Sequence, residues 1–547
     1  MRILGISTLH DSSVAIINNG QLEFFCKEER LSRKKRDKYP ILAVEQALKN
    51  TKGKIDVVVI SSPTFEAEDN KYIEVTISKK IDAPVLRLCR QHHLCHASLA
   101  FYNSGFDKAL VLVIDRNGSL LNRFRESETI FIANYPCEFK PIYKTFWNIK
   151  SGVDEDTHNQ NYLKEVMKDY PECEVYADSS MNITKIYETA TTLIGEDALE
   201  NGKTMGLSAY GTNKKYIPLF LKDRPNSNIY CHEEGYNQQT ILIDHINKKI
   251  KNLPIKGYEF YADYAFQVQK QTQEQVFKLV KKYVEKTGIK KVCLSGGYGL
   301  NVVANEYLVK NLPDVDFYFE PLADDSGNSI GSALLIYYNE TRNTYKNKKY
   351  PLKHTYFNNI KHSIKINNKG KDLYSKDIAS FLDKGKIVAV YNGIAEGGPR
   401  ALGNRSIFFD ARNPNAKNII NVVKNREWYR PFAASILKEY FTKYFITHGL
   451  KESPFMTISF QVKNKKIPGV THIDNSCRVQ TVSKDNGYLF NLLTDFNAIS
   501  KVPVLLNTSF NIAGEPLIET PSEAINCFYK TKIDVLWFPE KNKGLIK

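Results

Sequence analysis

Gly393-Ile394-Ala395-Glu396-Gly397-Gly398-Pro399-Arg400-Ala401-Leu402-Gly403-Asn404-Arg405-Ser406-Ile407 is the stretch around which the chain is organised. It follows an apolar run, Ile387 to Tyr391, that reads as a buried strand. Three glycines and a proline between Gly393 and Pro399 exclude regular helix or strand and demand a sharp turn. Arg400 and Arg405 then stand beside the backbone N–H groups that a glycine turn leaves free. Backbone amides and a planar guanidinium together trap phosphate or carboxylate. A glycine turn with two solvated arginines is the plain alternative. A second basic cluster, Lys424-Asn425-Arg426-Glu427-Trp428-Tyr429-Arg430-Pro431-Phe432, tips the reading toward anion binding.

The segments Gly398 to Ser406 and Arg426 to Ala433 resemble the C-terminal half of the NodU/CmcH carbamoyltransferases. The best-known members of that family carbamoylate tobramycin, cephem antibiotics and nodulation factors. Similar segments recur from the first residues to beyond Asn507. The resemblance implies an α/β chain of two domains. Residues 1–350 would be an actin-like ASKHA domain, similar to the tRNA threonylcarbamoyl-transfer enzymes. Residues 351–547 would be a YrdC-like α/β domain that makes carbamoyl-adenylate from carbamoyl phosphate and ATP, the ATP carrying Mg(2+). By the same resemblance Arg400, Arg405, Lys424, Arg430 and Arg478 would face the phosphates, with Asn507 and Ser509 positioning the nucleotide. Ordinary turn chemistry is the other reading of Arg478, Asn507 and Ser509.

At 547 residues the chain has length for two or more domains. A hydrophobic fraction of 42% and a charged fraction of 25% are those of a globular protein in water. No apolar run approaches the roughly 18 residues that a membrane span needs, and Met1 to Gly5 enters a strand directly. Nine cysteines without C-x-x-C spacing fit a reducing compartment. A cytoplasmic protein without membrane contact is therefore expected, and a homodimer is admitted. The 76 basic residues against 60 acidic give +16, enough to suggest a polyanionic partner. A lysine-rich surface alone would give the same number.

The N-terminus reads as strand and hairpin: Ile3 to Ser7, Ser13 to Ile17, a turn at Asn18-Asn19-Gly20, and Leu22 to Cys26. His10-Asp11-Ser12-Ser13 lies in the first turn, where His10 is either a backbone-bonded turn histidine or a functional base. A helix near Ile41 to Asn50 and a strand near Val57 to Ser61 follow. In Gln91-His92-His93-Leu94-Cys95-His96-Ala97, His92 and His96 are four apart and share one helix face. Val111 to Asp115 ends an apolar strand on a carboxylate, a position where open α/β sheets build sites. Asp324 and Asp325 follow another strand, Phe317 to Phe319, and either could instead cap the helix Asn328 to Tyr338.

The family resemblance joins these pieces. It implies one metal held by His92, His96, Asp115 and Asp325, with His93 pointing elsewhere and Asp324 left as cap. Two imidazoles and carboxylates suit Fe(2+), with Zn(2+) as rival. Gly195 to Thr204 imitates a P-loop but has six residues between its glycines instead of four, so Walker A is excluded. Its continuation matches a family motif in which Lys203 would touch the donor phosphate; a surface lysine is the alternative. Tyr261 to Lys286 reads as a long amphipathic helix. Ser295, Gly296, Gly297 and Asn301 belong to a strand–glycine turn–helix unit that lets amides approach a phosphate. Residues 340–372 are polar and aperiodic, suiting an inter-domain connection.

The resemblance further implies that carbamoyl-adenylate passes through an internal channel to the N-terminal half. There His10 would take the acceptor's proton. The acceptor is the open question. Asp115 is followed by Arg116-Asn117-Gly118-Ser119 and, beyond it, Arg123 and Arg125, where relatives carry glycine and a small acidic loop. Together with Arg33, Lys34, Lys35 and Arg36, these residues suggest backbone contacts to DNA, with 5-hydroxymethylcytosine as the favoured acceptor. Carbamoylation of an antibiotic or sugar hydroxyl is the first alternative. A non-catalytic tRNA-binding or regulatory ASKHA module is the second.

Overall fold

The computed structural model describes residues 1–8, 10–63, 68–88, 90–121, 124–148, 167–178, 183–213, 258–343, 348–358, 360, 362–364 and 370–547. They divide into two compact units. The first holds Met1–Leu9, Ala15–Gln21 and Lys54–Leu352; the second holds His10–Val14, Leu22–Gly53 and Lys353–Lys547. A boundary near 350 is therefore interrupted by two N-terminal pieces that the sequence reading placed with the first domain. Their hydrogen bonds explain the assignment: Arg33 donates to the carbonyls of Leu517 and Pro516, and the Phe25 amide to that of Phe357.

Three sheets carry the fold. The first has the order β3-β2-β1-β4-β5, formed by β1 (Arg2–Ser7), β2 (Ser13–Asn18), β3 (Gln21–Lys27), β4 (Val57–Ser61) and β5 (Val85–Leu88). The second takes β6 (Lys108–Ile114), β7 (Leu120–Leu121), β8 (Phe124–Asn134), β9 (Glu138–Asn148), β10 (Glu174–Asp178), β11 (Lys291–Ser295) and β12 (Asp316–Phe319). Its order is β10-β9-β8-β6-β11-β12, with β7 on β8. β6, β11 and β12 run parallel, so their C-terminal ends meet on one edge.

Within the first unit two helices link these sheets. The Asn328–Glu340 helix packs on β1 and β4, the His92–Ser104 helix on β6 and β11, and the two helices on each other. Their close approach is dictated by glycine. A Cβ on Gly331 would lie 2.0 Å from the Cys95 carbonyl oxygen, and one on Gly5 would lie 1.9 Å from that of Ser329. The long helix expected over Tyr261 to Lys286 spans Tyr258–Thr287 and buries Val268, Val276, Val280 and Tyr283.

The second unit centres on a mixed sheet of ten strands. Its middle runs β21 (Val535–Phe538), β14 (Val388–Tyr391), β15 (Arg405–Asp410), β20 (Val504–Ser509), β16 (Ala433–Leu437) and β19 (Ser476–Val482). Phe408, Trp537, Leu492, Leu493 and Phe496 form its core with the Ser375–Asp383 and Tyr488–Ser500 helices. Burying a large apolar side chain contributes about 1.5–3 kcal/mol, so this face anchors β14 and β15, which flank the glycine turn. Among the described residues no helix is long and apolar enough to cross a membrane.

Candidate metal centre and an arginine cluster

His92 opens its helix and His96 follows one turn later, so both imidazoles leave the same face. Asp115 directly follows β6, and Asp325 follows β12 through the short loop Glu320 to Asp324. All four side chains are buried, His96 and Asp325 being 0% and 7% exposed. One ligand atom from each lies within 4.8 Å of the others. His96 Nε2 is 3.2 Å from His92 Nε2 and 3.3 Å from Asp325 Oδ1. His92 Nε2 is 3.4 Å from both Asp115 Oδ2 and Asp325 Oδ1. Burial alone would discharge His92, yet the carboxylates of Asp325 and Asp115 outweigh it and raise its pKa to about 10. Two imidazoles and two carboxylates converging in a dry setting are a donor set for a divalent metal.

Neighbours orient these donors. The Gly297 amide donates to Asp115 Oδ1 at 3.1 Å, Ser7 Oγ to the Asp325 carbonyl at 2.9 Å, and the His92 amide to Ser119 Oγ at 3.0 Å. Ser295 Oγ lies 3.5 Å from His96 Nδ1. Asn328 Nδ2 sits 3.0 Å from His96 Nε2, a neighbour that the sequence reading did not single out. His93 points away and meets Thr129 Oγ1 at 2.8 Å, and burial lowers its pKa to about 3. Asp324 caps the short turn at Asp325, accepting from the Ser326 amide. Gly296 takes a positive φ of 82° against Ile114. Asn301 caps the Val302–Asn311 helix, and Lys203 is held between Glu196 and Glu200.

The glycine turn of the second unit departs from the sequence expectation. Three of its amides are taken by a carboxylate of the turn itself. Glu396 Oε1 accepts from the amides of Leu402, Asn404 and Arg405 at 2.7, 2.8 and 3.3 Å. Arg405 is fully buried and donates to the carbonyls of Asn392, Asn404, Gly393 and Glu519 while stacking on Tyr391. It therefore braces the turn. Lys424 is likewise enclosed, its Nζ donating to Ser509 and Asn511 oxygens, which also occupies Ser509. Asn507 Nδ2 donates to Ser435 and Gln480.

Near the turn stands a cluster of guanidiniums, Arg400, Arg426, Arg430 and Arg478, of which Arg430 pairs with Glu427 at 3.3 Å. Burial lowers the Arg478 pKa and the nearby charges of Arg400 and Arg430 push it further down. Arg426 falls to about 9 through burial and the charges of Arg430 and Arg478. The Nε of Arg478 is buried without a hydrogen-bond partner. Cations that repel one another in a part-buried place gain most from a bound oxyanion. Arg426 belongs to this group although the sequence reading did not assign it. Elsewhere in this unit His10 Nδ1 lies 3.6 Å from Asp11 Oδ2, and Lys27 pairs with Asp11 at 3.0 Å.

Comparison with known proteins then decides the family. Residues 65–334 match the model described as carbamoyltransferase N-terminus, and residues 379–542 the model described as carbamoyltransferase C-terminus. The chain is a member of the carbamoyltransferase family. This carbamoyltransferase is 28% identical to the uncharacterized protein sll1178 of Synechocystis, over 98% of this chain and 95% of that one. It is 28% identical to the nodulation protein NolNO of Sinorhizobium fredii, over 96% of this chain and 78% of that one. A phosphate- and nucleotide-bound HypF structure aligns with 63% of this chain and 47% of its own, at 14% identity and a TM-score of 0.41.

The expectation of a hydroxymethylcytosine acceptor in DNA is overturned. The carbamoyltransferase aligns over most of its length with a nodulation protein, which favours the small-molecule alternative. Three of the residues assigned to DNA have side chains engaged within the protein. Arg33 binds the Leu517 and Pro516 carbonyls and Glu523. The Arg36 amide donates to Glu29, Arg116 pairs with Glu188, and Arg125 donates to the Gly118 carbonyl at 3.1 Å. Lys34 and Lys35 are exposed; Arg123 lies outside the described residues.

Proposed function

We propose that this carbamoyltransferase forms carbamoyl-adenylate from ATP and carbamoyl phosphate and passes the carbamoyl group to a hydroxyl of a small molecule, of the sugar or antibiotic class. The observation that carries the reading is the convergence of His92, His96, Asp115 and Asp325 within 4.8 Å in a chain of this family. In this reading the first unit is actin-like and the second YrdC-like. In the adenylating step water first splits carbamoyl phosphate into carbamate and inorganic phosphate, and a carbamate oxygen then attacks the α-phosphorus of ATP and expels pyrophosphate. Arg400, Arg426, Arg430 and Arg478 hold the phosphate oxygens by charge-assisted hydrogen bonds.

A divalent ion, Fe(2+) with Zn(2+) as rival, would act as a Lewis acid on a substrate oxygen. The chain's own contribution there is orientation: Gly297 and Ser7 fix the two aspartates, and Ser295 and Asn328 steady the imidazoles. His10 is the proposed base for the acceptor hydroxyl. Its Asp11 neighbour stays ionised, the charges and hydrogen bonds of Lys27 and His10 together outweighing the cost of burial, and so favours the imidazolium that proton uptake creates. The alcohol oxygen attacks the carbamoyl carbon, the bond to AMP breaks, and AMP leaves. Such base catalysis contributes typically about 10²–10⁴-fold. The test is pyrophosphate release from ATP that requires carbamoyl phosphate, followed by mass spectrometry of a sugar panel for one carbamoyl group per product. Pyrophosphate release indifferent to carbamoyl phosphate would refute the reading.

A further inference from the structure

One side chain at the metal centre of the first unit offers a donor beyond the four already named. Asn328 opens the Asn328–Glu340 helix just after Asp325 and is fully buried. Its neighbour Gly327 lets the helix start this close: a Cβ there would lie 2.1 Å from the Leu322 carbonyl oxygen and 2.4 Å from Leu99 Cδ2. One turn further on, Gly331 meets the carbonyl of Cys95, the residue before His96. The Asn328 carboxamide is thereby set against both imidazoles. Its Nδ2 lies 3.0 Å from His96 Nε2 and 3.5 Å from His92 Nδ1, while its Oδ1 is buried without a hydrogen-bond partner.

A half-turn about its last bond exchanges the oxygen and nitrogen of a carboxamide, and the neighbours decide which way it lies. A filled centre decides for oxygen. His92 and His96 bring their Nε2 atoms together with Asp325 Oδ1, so Nε2 of each ring gives its lone pair to the ion. His92 Nδ1 then carries the ring proton. Neither nitrogen beside Asn328 can accept from an amide N–H group. An oxygen there faces the His92 Nδ1 proton with one lone pair and has a second for the ion. Spacing agrees. Donors about 2.1 Å from one ion, at octahedral to tetrahedral angles, are about 3.0–3.4 Å apart. The close pairs among the four ligands are 3.2–3.4 Å apart, and the Asn328 carboxamide lies 3.0 Å from His96 Nε2.

We propose that the carboxamide oxygen of Asn328 is a fifth ligand of this metal centre. The inference deepens the carbamoyl-transfer reading and rests on its metal centre alone. Five protein donors leave one position of an octahedral ion for a substrate oxygen. Tetrahedral Zn(2+) would already be closed by His92, His96, Asp115 and Asp325, with no position for substrate. The fifth donor therefore selects a six-coordinate ion such as Fe(2+).

Cobalt reports the coordination number, since four-coordinate Co(2+) absorbs visible light far more strongly than six-coordinate Co(2+). The full chain, stripped by a chelator and reloaded with Co(2+), is expected to show the weak bands. Asn328→Leu keeps the branched shape without a donor. It is expected to bind Co(2+) roughly 10-fold or more weakly and to absorb more strongly. A thermal melt of the metal-free variant checks its fold. Asn328→Asp offers oxygens alone and is expected to keep the weak bands and at least the affinity of the unaltered chain. It decides the matter where Asn328→Leu fails to fold. Strong bands in the unaltered chain, the same spectrum in Asn328→Leu, or loss of Co(2+) binding in Asn328→Asp overturns the fifth ligand. An unaltered chain that binds no Co(2+) refutes the metal centre as a whole. Pyrophosphate release is scored separately, so a failed carbamoyl reading is not mistaken for a failed ligand.

Discussion

The backbone amide of Gly297 donates to Asp115 Oδ1 at 3.1 Å, so the turn leaving β11 fixes a carboxylate leaving β6. That turn depends on Gly296, whose φ is +82° and whose Cβ, if present, would lie 2.3 Å from the Ile114 carbonyl oxygen. Gly296→Ala must therefore displace the turn. Second contacts to metal ligands commonly govern affinity by 10–100-fold. Gly296→Ala is expected to weaken zinc binding by roughly that factor, measured against a chromophoric chelator. Unchanged affinity would mean that Asp115 is positioned without the turn.

Arg405 and Arg478 are predicted to respond in opposite ways, although both arose from the same sequence reading. Arg405→Lys keeps the charge but loses the planar fork that reaches four carbonyls. It should cost roughly 2–4 kcal/mol of stability, read from the shift in the urea midpoint. Arg478→Ala should leave the midpoint nearly unmoved and weaken nucleotide binding. A stable Arg405→Lys chain with impaired ATP binding would return Arg405 to the phosphate site.

The contrast shows what residue types and spacing can and cannot tell. His92 and His96 were legible because helical geometry alone places residues four apart on one face. Asp115 was legible at the end of an apolar strand, where α/β sheets gather side chains, whereas the choice of Asp325 over Asp324 came from the family resemblance. The partners of Arg405 are carbonyls from Asn392 to Glu519, a distribution that local sequence does not reveal. Glu396 was passed over within the quoted stretch, yet it takes the amides that seemed open. The long hairpin of β8 and β9 also escaped notice. Its strands bury Glu126, Glu128 and Lys144, which break the apolar alternation and are matched across the pair, Lys144 to Glu126 and Thr145 to Glu128.

Glu320 predicts a pH dependence of stability. It is fully buried, and burial raises its pKa to about 7 against hydrogen bonds from Leu322 and Asn103. An unfolded glutamate titrates near about 4.3. Between these values the folded chain keeps a proton that the unfolded chain has lost, so stability falls as pH rises and levels off above about 7. The decline from this group is roughly 4 kcal/mol. Glu28, also raised to about 7 by burial, contributes a decline of the same sign. Urea denaturation from pH 5 to 8 should show the slope, and Glu320→Gln should flatten it in part. A stability that rises across this range in both proteins would count against a protonated Glu320.

Metal removal gives the most direct check of the centre. Four ligand atoms gathered within 4.8 Å form a site that the unfolded chain lacks, so metal binding stabilises the fold by mass action. At a free ion concentration about 100 times the dissociation constant the gain is about 2.7 kcal/mol. Treatment with a strong chelator should lower the melting temperature of the unaltered chain, and added Zn(2+) or Fe(2+) should restore it. His96→Ala removes one donor while leaving its helix in place, and its melting temperature should not respond to either treatment. His93→Ala is the informative control. The His93 ring bonds Thr129 and lies outside the four-ligand set, so this variant should lose stability but keep its metal-dependent shift. Loss of that shift in His93→Ala, with His96→Ala still responding, would move the centre to a different set of ligands.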